Sequence, residues 1–288
     1  MAHVHSIQLY SGRKFPPLEK QLETVAAAGF AYVEPFGGLY EDIGATQKQF
    51  ERHKVTAISG HVGLDMADGQ RERTRDMAAA LGMKWIVTPH IAADQRPTTP
   101  TGWAEFGLRL QKLSDYYRAH GLAYGWHNHD FEFHPLPDGS LPIEHILGGS
   151  LPWQADVAWI VRGKADPFHW LKRYAGRVKL AHIKDLAPAG KKTDEDGWAD
   201  VGAGVLPWRD LWKACIAAGS EVMVAEHDNP NDFARFAIAS AKAMKAFDAR
   251  PRPAAKKPAS KKAAAKKAPV KKAPVKKPAK KSAAKKRK

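Results

Sequence analysis

His127, Asn128, His129 and Asp130 follow directly on an apolar stretch that begins at Leu122, and Glu132 stands two residues further on in the segment LAYGWHNHDFEF. Alternate side chains of a strand share a face, so His127 and His129 should point the same way where such a strand ends. Two imidazoles so placed can hold a metal ion, shuttle protons, or merely hydrogen-bond at a strand edge. The stretch by itself leaves these alternatives open. Three later stretches, however, end in the same manner.

Taken together, His127, Asp156, His182 and Glu226 form a candidate metal set of two imidazoles and two carboxylates. Mixed nitrogen and oxygen donors suit Mn, Zn, Fe or Co better than Mg or Ca, which prefer oxygen alone. Such an ion keeps room for a substrate or water if it accepts five or six ligands. Around this set, His129 can orient a ligand or substrate, and Gln154 shares a strand face with Asp156. Asp185 or Asp228 can hold a histidine tautomer. Lys184 shares the face of His182 and can meet a substrate hydroxyl, a developing enolate or a phosphate. His61 and His90 are candidates for the mouth of a site or for a second ion, whereas His53 and His134 read as surface residues.

These side chains need elements that bring them together. Apolar, strand-like runs close in polar residues at His5–Tyr10, Phe30–Glu34, Val55–His61, Lys84–His90, Leu122–His129, Pro152–Asp156, Val178–Asp185 and Glu221–Asp228. Amphipathic, helix-like segments lie between or after them at Phe15–Ala28, Gln70–Leu81, Trp103–His120, Pro167–Tyr174, Trp208–Ala218 and Asp232–Phe247. Eight strands alternating with helices over residues 1–250 predict a closed (β/α)8 TIM barrel. An open doubly wound sheet is the competitor, but no GxGxxG follows the first run, which argues against a dinucleotide-binding version. In a barrel the functional side chains gather at the C-terminal ends of the strands, where the polar residues of every run stand.

The net charge of +16 is unevenly distributed. Residues 251–288 hold fifteen lysines, two arginines and no acid, which leaves 29 basic and 30 acidic residues for residues 1–250. The terminal segment repeats lysine pairs with alanine and proline, has almost nothing to bury, and is expected to be disordered. It resembles the tails of linker histones and their bacterial counterparts. Its charge predicts nonspecific DNA or RNA binding through counterion release, and a location at the nucleoid. A solubilising role without a dedicated partner is the plainer alternative. The single cysteine, Cys215, excludes an intrachain disulfide framework and reads as a buried thiol. No apolar run is long enough to cross a bilayer, and the N-terminal MAHVHSIQLY lacks the features of a secretory signal, so a cytoplasmic protein is expected.

HNHDFEF, QADVAW, RVKLAHIKD and VMVAEHDNP, in this order and spacing, resemble the sugar phosphate isomerase/epimerase family with the xylose isomerase-like TIM barrel. The resemblance spans Val4 to Lys245. It implies one divalent metal, with manganese preferred and zinc, cobalt or iron as alternatives, and a small sugar as substrate. The implied chemistry is isomerisation or epimerisation through an enediolate, with Glu226 as one acid-base group. Lys184, His129 and Glu132 are the other catalytic candidates. Many epimerases of this kind carry a second glutamate where this chain has His127, so Glu132, His127 or His129 must take that part, or the reaction is an inosose dehydratase-like elimination. Apurinic endonucleases of the endonuclease IV type resemble the same fold. They need more ligands than these motifs supply, and the nearly neutral body lacks the positive surface of a DNA enzyme.

Overall fold

The computed structural model describes residues 3–249 and the single residue Val275. The remainder of the expected tail, 251–288, lies outside the described residues. Nine strands form one wholly parallel sheet: β1 (Val4–Gln8), β2 (Tyr32–Glu34), β3 (Thr56–Ala57), β4 (Ser59–His61), β5 (Trp85–Thr88), β6 (Ala123–His127), β7 (Trp153–Asp156), β8 (Val178–Ile183) and, after the small antiparallel pair β9 (Asp185–Leu186) and β10 (Trp198–Ala199), β11 (Val222–Ala225). The sheet runs β3-β2-β1-β11-β8-β7-β6-β5-β4.

Its two ends are consecutive pieces of one chain segment, separated only by Ile58. The Ile58 amide donates to the Val33 carbonyl at 3.2 Å while its own carbonyl accepts from Lys84 at 3.0 Å. His61 likewise donates to the Pro35 carbonyl at 2.9 Å. The third barrel strand therefore bonds on both sides across a break in register, and the circle closes there as a (β/α)8 barrel.

Helices α1 (Leu18–Ala28), α2 (Ile43–His53), α3 (Leu64–Gly69), α4 (Arg71–Leu81), α5 (Pro100–Ala119), α6 (Pro142–Ile146), α7 (Val157–Arg162), α8 (Pro167–Arg173), α9 (Trp208–Ala218) and α10 (Phe233–Asp248) follow the strands in turn. Local chemistry sets their ends. Thr99 accepts the Gly102 amide and Pro100 takes the first turn, so α5 starts ahead of the expected Trp103. Pro16 and Pro17 keep the chain extended, so α1 starts at Leu18 rather than Phe15. Left-handed glycines at 29, 82 and 219 close α1, α4 and α9. Four helices have no counterpart in the amphipathic pattern: α2, and the short α3, α6 and α7. The run expected to extend to Asp185 ends as a barrel strand at Ile183, and Asp185 begins the hairpin with β10 instead.

Register partners in parallel strands face the same way. His182 pairs with Asp156 on one side and Val224 on the other, and Gln8 pairs with Glu34. Leu180, His182 and Lys184 consequently share the inward face with Val222, Val224 and Glu226. Ile58, Val87, Leu180, Val222 and Val224 form a separate apolar cluster at the barrel floor, and the polar inward residues stand above it. The larger apolar cluster lies between sheet and helices.

One close approach in that outer layer is testable. Gly107 lets α5 lie against α6, because a Cβ there would sit 2.5 Å from the His145 carbonyl oxygen and 3.1 Å from Ile146 Cα. Both are backbone atoms and cannot swing aside. Alanine gains about 1 kcal/mol in helix propensity, whereas overpacking a tight contact costs about 1–3 kcal/mol. Gly107→Ala should therefore lower stability, read as a reduced urea midpoint, although the substitution favours helix.

Candidate metal centre and active-site cavity

The ends of β6, β7, β8 and β11 bring together one donor atom each from His127, Asp156, His182 and Glu226, all within 4.8 Å of one another and all buried. Asp156 reaches this point because it also starts a helix. Its Oδ1 accepts the Trp159 amide at 2.9 Å and caps α7, and its backbone is clamped by Asn128, whose amide bonds both the Asp156 N–H and C=O at 3.0 and 3.1 Å. That leaves Oδ2, buried and without a hydrogen bond of good geometry, 3.1 Å from Lys184 Nζ, 3.8 Å from His182 Nδ1 and 3.9 Å from His127 Nε2. A buried carboxylate oxygen facing two imidazole nitrogens and a second carboxylate suits a divalent cation.

The electrostatics of the cluster have few contributors. Lys184 Nζ lies 2.8 Å from Glu226 Oε2, 2.9 Å from Asp228 Oδ1 and 3.1 Å from Asp156 Oδ2, with the Trp198 ring 4.7 Å away. Burial opposes its charge, but Asp156, Asp228 and Glu226 outweigh that and raise its pKa above the ordinary lysine value. Burial also opposes ionisation of Glu226, yet Lys184 and His182 hold its carboxyl well below the usual range. His182 loses charge stability to burial, but Glu226 and Glu34 bring it up to about 10. His127 and His129 are driven well below the ordinary histidine value, chiefly by burial and secondarily by nearby positive groups, so both are neutral imidazoles. Burial raises Asp228 to about 6 despite its ion pair with Lys184.

Beneath the cluster Glu34 is fully buried at the end of β2, where it accepts from Gln8, His182 and Gln154 at 2.7–2.8 Å and from Ser59. Burial works against its charge, but His61 and His182 hold the carboxyl at about 2. Above the cluster opens a cavity of about 740 Å³, within the usual size for small-molecule sites. Tyr10, Phe36, Trp159 and Trp198 wall it with aromatic surface, and His61, His90, His127, His129, Arg162, Glu226 and Asp228 supply polar groups. Arg162 stacks on Trp198, 3.2 Å from its ring centre, and donates to the Asp196 carbonyl.

His129 lines the cavity, with Nδ1 buried and without a partner. Glu132 does not reach it. Its oxygens accept from Trp126 Nε1 at 3.0 Å and the His129 amide at 2.8 Å, tying the loop after β6 back onto that strand. Asp185 and Asp228 do not hold histidine tautomers. Asp185 accepts the amides of Leu186, Gly202, Gly204 and Leu206 at 2.9–3.1 Å and fixes that loop, while Asp228 pairs with Lys184. His134 is exposed, but His53 is half-buried rather than a surface residue, with its Nε2 enclosed. Cys215 is buried, and burial pushes its thiol up to about 12. Sequence reasoning placed Glu34 among the residues gathered at the strand ends but gave it no specific part, and assigned no role to Gln8, Trp159, Trp198 or Arg162. For Glu34 a signal existed, since it alternates with Tyr32 on the inward face of a strand.

A parallel eight-stranded barrel with a metal-capable His/Asp/Glu centre at its C-terminal rim defines the class. Residues 22–249 match the family described as xylose isomerase-like TIM barrel, and the chain belongs to it. The fold is similar to that of a sugar phosphate isomerase/epimerase from Parabacteroides distasonis, at 20% identity and a TM-score of 0.71, covering 86% of this chain and 96% of that one. It is also similar to D-psicose 3-epimerase crystallised with D-fructose, at 13% identity and TM-score 0.63 over 85% and 97% of the two chains. The IolI protein solved with a bound zinc atom gives 16% identity and TM-score 0.62 over 86% and 96%. No curated protein matches the chain. Among the described residues no helix is long and apolar enough to cross a membrane.

Glu132 makes this loop pH-sensitive. An unfolded glutamate releases its proton near 4.5, whereas burial raises the folded carboxyl to about 8. Between those values the folded chain binds the additional proton, so stability falls as pH rises through that window. At 1.36 kcal/mol per unit the effect is on the order of 5 kcal/mol. In urea unfolding, Glu132→Gln should show a smaller loss of stability between about pH 5 and pH 8 than the native chain.

Proposed function

We propose that the chain is a divalent-metal-dependent enzyme that isomerises or epimerises a keto sugar, with His127, Asp156, His182 and Glu226 as the metal ligands. The observation that carries this reading is the convergence of their four donor atoms within 4.8 Å at the foot of a cavity walled by aromatic rings. Relatives of this fold described as a sugar isomerase/epimerase, as a D-psicose epimerase and as zinc-bound lend it further support. When bound, the ion supplies the positive charge that acidifies a proton on the carbon beside a carbonyl.

The remaining work falls to the chain's own groups. Glu226 is held through Oε2 by His182 and Lys184, both at 2.8 Å, which directs its other oxygen to proton transfer at the cavity. His129 is a neutral imidazole on the cavity wall and takes the complementary acid-base part. It takes the acid-base part of the second glutamate that many epimerases carry at the position of His127, since Glu132 is engaged elsewhere. Lys184 compensates the buried carboxylates and keeps Glu226 anionic and oriented. Trp159 and Trp198 cover C–H faces of the sugar and exclude water. Manganese is the preferred ion of this reading, with zinc, cobalt and iron as alternatives.

Metal analysis of the full chain, followed by a keto-sugar panel in deuterated water, tests the proposal. One tightly held transition metal and solvent exchange at a carbon beside the carbonyl are the expected results. Glu226→Gln and His129→Gln should each reduce exchange by at least about 100-fold, the lower end of general acid-base contributions. Three ions per chain with incision at abasic DNA would overturn it.

The segment 251–288 carries a separate proposal, nonspecific association with nucleic acid and hence with the nucleoid of a cytoplasmic protein. Its support is the +17 charge of that segment beside a body of 29 basic and 30 acidic residues. Deleting residues 251–288 should abolish salt-sensitive DNA retention and leave sugar turnover unchanged. Equal DNA affinity of the truncated and full chains at low salt would sink the idea.

A further inference from the structure

Glu34 does not line the cavity and, among the described residues, is not one of the four whose donor atoms converge at the candidate metal centre. Its hydrogen bonds nevertheless fix which nitrogen two histidines present. Gln8 Nε2 and His182 Nε2 reach its Oε1 at 2.8 Å, and Gln154 Nε2 reaches its Oε2 at 2.7 Å together with Ser59 Oγ. So many donors leave no place for a proton on Glu34 itself, and an ionised carboxylate can only accept. Gln154 must therefore turn its NH2 toward Glu34 and its oxygen the other way.

That oxygen meets His127 Nδ1 at 3.0 Å and His61 Nε2 at 2.7 Å. An amide oxygen has no hydrogen to give, so both ring nitrogens must carry one. His127 is consequently protonated at Nδ1 and holds its lone pair on Nε2, the atom that faces Asp156 Oδ2. His182 donates from Nε2 to Glu34 and from Nδ1 to Glu226, and Nδ1, the nitrogen beside Asp156, is the one that gives up its hydrogen to an incoming cation.

We infer that Glu34 is the positioning residue of the centre: directly for His182, and through the Gln154 amide for His127, it dictates the nitrogen that each imidazole offers to a divalent cation. The inference rests on the reading of His127 and His182 as ligands. Histidine ligands commonly depend on such outer partners, whose loss costs about 10–100-fold in metal affinity. In Glu34→Gln the new amide brings its own NH2 into a ring of donors. Gln154 then gains by flipping, which turns its NH2 to His127 and moves that ring's hydrogen to Nε2.

The test is long-range proton–nitrogen NMR on the full chain with labelled histidine, metal-free and with Zn²⁺, alongside calorimetric titration with Zn²⁺. The native chain should show His127 protonated at Nδ1 in both states and His182 bound through Nδ1. Glu34→Gln should move or mix the His127 tautomer and weaken Zn²⁺ by 10-fold or more. Gln154→Met breaks only the indirect branch, so it should release the His127 tautomer while His182 keeps its hydrogen on Nε2; this variant decides the matter if Glu34→Gln does not fold. A native His127 protonated at Nε2, or tautomers and Zn²⁺ affinity unchanged in both variants, overturns the inference. Failure of the native chain to bind Zn²⁺, with the tautomers as described, instead sinks the ligand reading alone.

Discussion

The whole rim is built under one constraint: negative charge taken out of water must be matched within a few ångströms. Glu34, Asp156, Glu226 and Asp228 stand together at the C-terminal ends of the strands, and among the described residues the ammonium group that meets them is Lys184. Leaving such charges unpaired costs several kcal/mol each. The ion pairs of Lys184, the raised affinity of His182 for a proton and the depressed pKa of Glu34 are all responses to that cost. A divalent cation is a further response, and the donor atoms stand where it can bind.

The barrel supplies this constraint with a dry foundation. Inward side chains are apolar at the floor, at Leu180, Val222 and Val224, and turn polar two residues beyond Leu180 at His182 and two beyond Val224 at Glu226. Strand alternation thus carries each chain from packing to chemistry without a change of face. The two roles meet at β8, where Leu180 plugs the barrel, His182 joins the cluster and Lys184 compensates it.

Much of this was legible in the sequence because an apolar run that ends in His, Asp or Glu is a local pattern, and the runs that close at His129, Asp156 and Asp228 show it plainly. What stayed hidden depends on direction and on distant partners. No local feature distinguishes Glu132, which faces Trp126 and a backbone amide, from a carboxylate facing a cavity. Asp185 and Lys184 are adjacent, yet one pins a loop and the other sits among carboxylates, because successive residues point to opposite faces. Closure through Ile58 was also invisible, since a strand that bonds both neighbours across a register break reads as one ordinary run. The six-residue α7 is too short for amphipathic periodicity to reveal it.

Asp156 spends one oxygen on the first turn of α7 and turns the other to the centre. Glutamate would serve equally well as a donor to an ion, but its longer side chain is a poor cap for a helix start. The position is therefore confined to aspartate by the helix rather than by the donor atoms it faces. Because Trp159 and Arg162 ride on that helix, any drift at residue 156 would displace the aromatic wall along with that carboxylate oxygen. The barrel is thereby freer to change its specificity from other walls, such as those bearing Tyr10 and Phe36, than from this one.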